Sequence, residues 1–317
     1  MTRIAILDDY QRRALGMADW ASLPGAEVVS FAQALAAPAL AEALADFDVV
    51  VAMRERTAFP AELIAQLPRL KLIASTGLRN AAIDLAACAR AGITVTGARG
   101  ASHGLAATAE TAWALILALH KRLPGSHLAI AQGRWQPELA LPLQGRVLGI
   151  AGLGNVGRHM ARVGQAFGMQ VIAWSPHLTD ERAAQAGARR VDKQELFAAA
   201  DVVSLHLVLS PETAGVVGAA ELAAMRPQAF LVNTARAGLV DEAALVDALV
   251  SGRIGGAGLD VFWQEPLPAA HALCALPNVV LTPHLGYATE ENLSAFYRNV
   301  VHNIRLWMEG GAPQLLA

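Results

Sequence analysis

The chain has 317 residues, of which 54% are hydrophobic and 16% charged, and its formal net charge is −2. This length predicts about two domains, and the apolar content is sufficient for two cores. A near-neutral charge without a basic run offers no electrostatic footprint for nucleic acid or an anionic membrane, so neither is an expected partner.

Neither the N-terminus nor the apolar segments predict export or a membrane span. The start MTRIAILDDY has no signal-peptide profile, and the longest apolar helical run, 112–119, is far shorter than a membrane span requires. Cys88 and Cys274 lie in apolar surroundings, which favours packed thiols in a reducing compartment. We therefore expect a soluble, cytoplasmic protein.

The first hundred residues alternate between short apolar runs and Ala/Leu-rich segments. The runs at 3–7, 26–31, 48–52, 71–75 and 93–96 predict strands, and the segments 10–19, 38–45, 60–67 and 81–91 predict helices. Such alternation implies right-handed crossovers and a parallel sheet. This part contains no glycine-rich phosphate loop.

A second series of elements begins after residue 100. Residues 105–121 predict a long apolar helix, whereas the proline-containing stretch 123–145, with Trp135, is expected to be an irregular arm packed on another surface. Strands are predicted at 147–151, 169–174, 202–207, 229–233, 256–261 and 279–281. The amphipathic segment 288–309 predicts a helix that returns to the first domain.

This order predicts an α/β protein with two Rossmann-like domains. A dinucleotide-binding domain, 100–284, is expected to be inserted in a discontinuous flavodoxin-like substrate domain formed by 1–99 and 285–317. The cleft between two such domains is the default ligand site.

The segment 146–168 carries a dinucleotide-binding pattern. The strand 147–151 leads into Gly152, Gly154 and Gly157, which have the G-x-G-x-x-G spacing, and a helical pattern follows. The first glycine allows the tight turn, the second lets a pyrophosphate approach the backbone, and the third lets the helix pack on the sheet. The helix N-terminus offers free N–H groups to the phosphates.

Polar side chains follow three later strands of this domain. Arg236 follows the strand at 230–232, Asp260 and Glu265 follow the strand at 258–259, and His284 follows 279–281. Ligands of open α/β sheets bind beyond the carboxyl ends of the strands. An arginine can hold a carboxylate in a fork, a histidine can exchange a proton near neutral pH, and a glutamate beside that histidine would fix its tautomer.

Each of these residues also has an ordinary explanation when taken alone. Arg236 could be a surface charge, His284 could be hydrogen-bonded only within its proline-containing turn, and Glu265 could be only a turn residue before Pro266. Their position at successive strand ends of a dinucleotide fold favours a shared function.

Several segments resemble the D-2-hydroxyacid dehydrogenase family, which includes phosphoglycerate dehydrogenases and hydroxypyruvate reductases. They are NTARAGLVDEAAL (233–245), GLDVFWQEPLP (258–268) and LTPHLGYATEEN (281–292), preceded by GLGNVG. The segments STGLRNAAIDLAACARAGITV (75–95) and ATAETAW (107–113) extend the resemblance into the first domain.

The resemblance implies an NAD(P)-dependent enzyme that reversibly reduces a small 2-oxo acid to a D-2-hydroxy acid. Arg236 would orient the substrate, Glu265 would pair with the histidine, and His284 would be the acid/base. Thr76 and Gly77 would offer backbone N–H groups to the substrate carboxylate. Arg54 falls where some members have a substrate-facing arginine, with a solvated arginine as the alternative. The implied cofactor contacts are Gly152, Gly154, Asn155, Val156, Gly157, Ser175, His206, Thr213, Thr234, Asp260 and Gly286.

The sequence departs from the family pattern at the cofactor. Ser175 stands where NAD-preferring members usually carry an acidic residue for the ribose 2′-hydroxyl, so NADP becomes possible. No arginine for a 2′-phosphate follows directly, however, because Arg182 lies at least a helical turn further on. We expect NAD, with NADP open. Val208 replaces a frequent proline and should keep the adenine wall apolar. Phosphoglycerate dehydrogenases with a C-terminal regulatory domain are larger, so with the sequence ending at Ala317 we expect no control by such a domain.

Two other functions fit parts of the pattern. A nucleotide-sensing, co-repressor-like interaction protein would keep the cofactor loop without turnover, and a relative acting on formate or phosphite would keep the hydride chemistry. The filled positions 236, 265 and 284 count against the interaction protein, whereas only the overall resemblance disfavours the formate or phosphite enzyme. The family's usual state implies a homodimer, with the 123–145 arm as a candidate contact.

Overall fold

A computed structural model describes residues 1–35, 37–102 and 104–316. The chain forms two compact units, which we call unit 1 (Met1–Gly104 and Ala288–Ala317) and unit 2 (Leu105–Tyr287). Each unit contains one parallel sheet. The predicted α/β class, with two Rossmann-like folds, is confirmed.

Unit 1 is built on a five-stranded sheet. Its strands are β1 (Thr2–Ile6), β2 (Ala26–Ser30), β3 (Val49–Ala52), β4 (Leu72–Thr76) and β5 (Thr94–Ala98), in the order β2-β1-β3-β4-β5. This is the flavodoxin-like order. Its helices are α1 (Ala37–Leu44), α2 (Ala61–Ile64), α3 (Leu85–Arg90) and, from the C-terminal segment, α11 (Glu290–Met308).

Unit 2 has a seven-stranded sheet. Its strands are β6 (Val147–Ala151), β7 (Gln170–Trp174), β8 (Arg189–Arg190), β9 (Val202–Leu205), β10 (Phe230–Asn233), β11 (Gly256–Leu259) and β12 (Val279–Leu281), in the order β12-β11-β10-β9-β6-β7-β8. The helices are α4 (Gly104–His120), α5 (Leu123–Ala131), α6 (Asn155–Ala166), α7 (Asp180–Gln185), α8 (Lys193–Ala199), α9 (Ala219–Ala224) and α10 (Glu242–Val250).

The central strands of both sheets are apolar and buried. All four residues of β3, β9 and β10 are buried, as expected for strands covered on both faces. In β10, Phe230 and Val232 belong to one core cluster and Leu231 to another. Because neighbouring side chains of a strand point to opposite faces, unit 2 has a core on each side of its sheet.

The helix predicted at 10–19 is wrong. This segment contains one short 3-10 turn, Ala14–Gly16, and a second turn, Trp20–Ser22, follows it. Asp8 and Arg12 have positive φ angles of 59° and 55°, and the Asp9 carboxylate accepts hydrogen bonds from the N–H groups of Arg13 and Ala14. A side chain that bonds the backbone in this way competes with helix formation.

The stretch 123–145 is not irregular throughout, because α5 occupies its first nine residues. Pro124 lies in the first turn of that helix, where its missing N–H would have had no intrahelical partner. Proline therefore permits a helix here. From 134 onward the predicted irregular arm is present.

The two cysteines differ in solvent exposure. Cys88 is buried as predicted, but Cys274 is exposed, and both are free thiols.

Within the described ranges, no helix combines the length and apolar character needed to cross a membrane.

Candidate active site

The glycine loop after β6 has the geometry that a dinucleotide requires. Gly152 has a φ of 101°, and a Cβ atom there would lie 2.6 Å from the carbonyl group of His206. A Cβ at Gly157 would collide with the carbonyl oxygen of Gly152, whereas one at Gly154 would meet nothing within 4 Å. The absence of a side chain at Gly152 and Gly157 thus allows the turn, the strand and the helix to pack closely, whereas Gly154 borders open space.

The start of α6 can hold the phosphates of such a cofactor. The first N–H groups of a helix have no partner within the helix and carry a partial positive charge, and Asn155 and Val156 begin α6. The Val156 side chain packs against the core, so only its backbone serves this purpose. The buried Thr234 hydroxyl, after β10, has no hydrogen-bond partner in the part of the chain that the structure describes. Both observations fit a bound dinucleotide.

The end of β7 carries more charge than Ser175 alone suggests. The Arg182 guanidinium returns to donate a hydrogen bond to the His177 carbonyl oxygen at 3.4 Å, so it is not remote from this loop. The Glu212 carboxylate lies 3.8 Å from His177 Nε2. A cation and an anion from different elements therefore stand near the position of the usual acidic residue.

The loop after β9 has an exposed apolar tip. Val208 and Leu209 are 74% and 41% exposed, which suits a wall for an adenine ring. The Thr213 hydroxyl is used within the loop, since it donates to the Val208 carbonyl oxygen at 2.6 Å and accepts from the Ser210 N–H. His206 Nε2 lies 2.8 Å from the Ser204 hydroxyl, and loss of solvation lowers the pKa of His206 to about 4.

His284 and Glu265 form the closest acid–base pair of the candidate site. His284 Nδ1 lies 2.7 Å from Glu265 Oε2, and both side chains are largely buried. The other oxygen, Glu265 Oε1, accepts the Phe262 N–H at 3.0 Å. The carboxylate is thus fixed by the backbone and in turn orients the imidazole, which leaves Nε2 for another partner.

Asp260 holds the loop that presents His284. Its fully buried carboxylate accepts the Thr282 hydroxyl at 2.5 Å and the N–H groups of Leu285 and Gly286 at 2.7 and 2.9 Å. Burial raises the pKa of Asp260, although these hydrogen bonds oppose the rise. His284 itself has a φ of 55°, a strained conformation that surrounding contacts must maintain. The sequence predicted Asp260 as a cofactor contact and did not predict that its carboxylate holds the His284 loop.

Arg236 follows β10, which is the neighbour of β11, the strand that directly precedes Asp260. In register, Asn233 of β10 pairs with Leu259 of β11, which pairs with Leu281 of β12. The residues that follow each strand, Arg236 among them, therefore start from one edge of the sheet. Arg236 is half-buried, and its guanidinium donates to the Ala235 carbonyl oxygen at 2.7 Å.

Unit 1 brings Arg54, Thr76 and Gly77 together. The Thr76 hydroxyl accepts the Arg54 N–H at 2.9 Å, and a Cβ at Gly77 would lie 3.0 Å from the Arg54 guanidinium. The Gly77 N–H, however, donates to the Ala98 carbonyl oxygen at 2.7 Å.

The N–H groups of Leu78 and Arg79, which the sequence reasoning did not select, donate to no described residue. They are the better candidates for binding an anion at this loop, and their position directly after Gly77 was the only sequence signal for them.

Tyr287 is another residue that the sequence did not single out. Its ring lies edge-on to the His284 imidazole, with centroids 5.3 Å apart and planes at 85°, and it is 9% exposed. Nothing in the pattern TPHLGY marks such a contact, because it depends on the turn between the two residues.

The chain is similar to proteins of one enzyme family. The family described as D-isomer specific 2-hydroxyacid dehydrogenase, NAD binding domain, matches residues 113–286. A glyoxylate reductase of Aeropyrum pernix is 37% identical over 261 residues, which cover 80% of this chain and 77% of that protein. The crystal structure of a phosphoglycerate oxidoreductase from Vibrio cholerae superposes with a TM-score of 0.92 and 38% identity, over 98% of this chain and 100% of that one.

Some relatives are much longer than this chain. The D-3-phosphoglycerate dehydrogenase of Synechocystis is 38% identical over 248 residues, which cover 78% of this chain but only 44% of that protein. The chain thus spans about half the length of the curated phosphoglycerate dehydrogenases it matches.

Proposed function

Because the chain belongs to the D-isomer specific 2-hydroxyacid dehydrogenase family, we propose that it reversibly reduces a small 2-oxo acid to a D-2-hydroxy acid. A bound NAD(P)H supplies the hydride that reaches the carbonyl carbon. The observation that carries the proposal is the 2.7 Å contact between His284 Nδ1 and Glu265 Oε2, in the same unit as the glycine loop.

His284 is the proposed acid in the direction of reduction. With Nδ1 donating to Glu265, Nε2 of the protonated imidazole would give its proton to the carbonyl oxygen of the 2-oxo acid. In the reverse direction the neutral imidazole removes the hydroxyl proton. The Glu265 carboxylate, 2.7 Å from Nδ1, holds the imidazole in the orientation that directs Nε2 to the substrate.

Arginines are the proposed substrate-carboxylate contacts. Arg236 in unit 2 is the first, because a guanidinium can bind a carboxylate through two parallel hydrogen bonds. Arg54 and the N–H groups of Leu78 and Arg79 in unit 1 form a second anion-binding group.

We propose NAD as the cofactor, with NADP use open. The Glu212 carboxylate near the end of β7 favours a ribose hydroxyl, whereas the Arg182 guanidinium, close to the same loop, favours a 2′-phosphate. A comparison of kcat/KM for NADH and NADPH decides between them. A strong preference for NADPH would overturn the choice of NAD.

We propose a homodimer that covers the apolar surface of α5 and the arm after it. Leu128, Ile130, Trp135 and Leu139 are 53%, 63%, 79% and 91% exposed. Apolar side chains clustered in one exposed segment mark an interaction surface.

The direct test is turnover of a panel of 2-oxo acids, including glyoxylate, pyruvate and hydroxypyruvate, by the wild type and the variant His284→Gln. We expect kcat to fall by roughly 10²–10⁴ in the variant. His271→Gln is a matched control, because His271 also pairs with a glutamate, Glu242, at 2.8 Å, and we expect it to retain activity. No turnover by the wild type with any acid would favour the non-enzymatic, nucleotide-sensing alternative.

A further inference from the structure

Unit 1 contains a cavity of about 310 Å³ that the proposed function does not use. It lies where β5 ends, between α11 and the segment that follows α11. Its lining includes Arg99, Asn299, His302, Asn303, Leu306 and Gln314. On α11 these residues have the i, i+3, i+4, i+7 spacing of one helix face.

Hydrogen bonds between side chains and backbone build the cavity wall. The buried Asn303 amide donates to the Gly97 carbonyl oxygen at 3.1 Å and accepts the Gln314 N–H at 3.2 Å. The Gly97 N–H donates to the Gln314 carbonyl oxygen at 2.9 Å. Asn299 donates to the Arg99 carbonyl oxygen at 2.8 Å. Strand, helix and C-terminal segment are therefore joined around the cavity before any ligand enters.

The described residues that line the cavity contribute one guanidinium, one imidazole and three side-chain amides, and none of them carries a carboxylate. Arg99 and His302 form no ion pair with any residue that the structure describes, and Leu306 adds an apolar wall. A guanidinium binds carboxylates and phosphates through two parallel hydrogen bonds. The volume is at the lower end of the range for small-molecule sites. We propose that this cavity binds a small oxyanion, a short carboxylate or a phosphate, through Arg99.

None of the residues that line the cavity is a proposed catalytic residue, and the cavity shares one structural element with the anion-binding loop of unit 1. Residues 97 and 98 end β5, and Gly97 contacts the cavity wall while Ala98 accepts the Gly77 N–H at 2.7 Å. Binding at the cavity does not depend on turnover, so its test stands apart from that of the proposed function.

The test is a titration of the isotope-labelled full chain with succinate and, separately, with inorganic phosphate at constant ionic strength, followed by backbone amide NMR signals. We expect saturable shifts at Asn303 and Gln314. The probe that saturates at the lower concentration identifies the preferred oxyanion.

Arg99→Gln should weaken binding by at least about tenfold, since it removes a charged hydrogen-bonding group. Arg90→Gln removes the same charge from an exposed position at the end of α3 and should bind as the wild type does. His302→Gln should weaken binding less than Arg99→Gln.

Two results would overturn the proposal. One is an equal loss of binding in Arg99→Gln and Arg90→Gln, which would indicate a general charge effect. The other is that only the amides of Leu78 and Arg79 shift, which would place the oxyanion at the substrate loop alone. Unchanged unfolding midpoints of the variants ensure that either result reports on binding.

Discussion

His120 at the end of α4 should make unit 2 sensitive to acid. The side chain is 1% exposed and lies edge-on to the Phe230 ring, with centroids 5.0 Å apart. Neither ring nitrogen has a hydrogen-bond partner among the described residues. Burial, with Arg146 nearby, lowers the pKa of His120 to about 4, while Asp201 opposes the shift and Lys121 and Arg122 add to it.

The sign and size of the effect follow from proton binding. The ordinary pKa of the imidazole is 6.5, so between pH 6.5 and about pH 4 the unfolded chain holds the proton and the folded chain does not. The free energy of unfolding therefore falls as the pH is lowered through this window. Linkage gives a loss of roughly 2 kcal/mol between pH 7 and pH 5 from this residue alone.

The perturbation is His120→Leu, which removes the titrating group and both unpaired nitrogens at similar volume. We expect equal or greater stability at pH 7, and an advantage over the wild type that grows by roughly 2 kcal/mol at pH 5. Urea unfolding at both pH values measures it, with the exposed His127→Leu as the matched control. A difference between wild type and His120→Leu that stays constant from pH 7 to pH 5 would refute the reasoning.

Three further predictions concern the proposed site and assembly. Asp260→Asn should lower the free energy of unfolding by roughly 1–3 kcal/mol, because an amide cannot accept all three hydrogen bonds of the buried carboxylate. It should also lower kcat. If urea unfolding and turnover both match the wild type, other contacts hold the His284 loop. Arg54→Gln should raise KM for 2-oxo acids about tenfold or more with a smaller change in kcat; an equal KM argues against substrate contact. Trp135→Glu should shift the molar mass measured by light scattering toward the monomer, and an unchanged dimer would place the interface elsewhere.

Local patterns were enough for most of the fold. The apolar runs that became β3, β9 and β10 predict buried parallel strands, and the glycine spacing at 152–157 predicts the turn into α6. These features depend on neighbouring residues in the chain, so a sequence shows them directly. The helix predicted at 10–19 was wrong because the Asp9 carboxylate, which an apolar pattern does not weigh, bonds the backbone there.

The candidate site, like the fold, has features that the sequence predicted and features that it did not. The amino-acid sequence by itself determined which residue types follow the strands, and its motifs named Glu265 and His284 as partners across 19 residues. Only the tertiary structure decided their 2.7 Å contact, the use of Asp260 to hold the His284 loop, and the engagement of the Gly77 N–H by Ala98. Hydrogen bonds between distant segments depend on how each strand and turn orients its atoms, and no one-dimensional pattern contains that orientation.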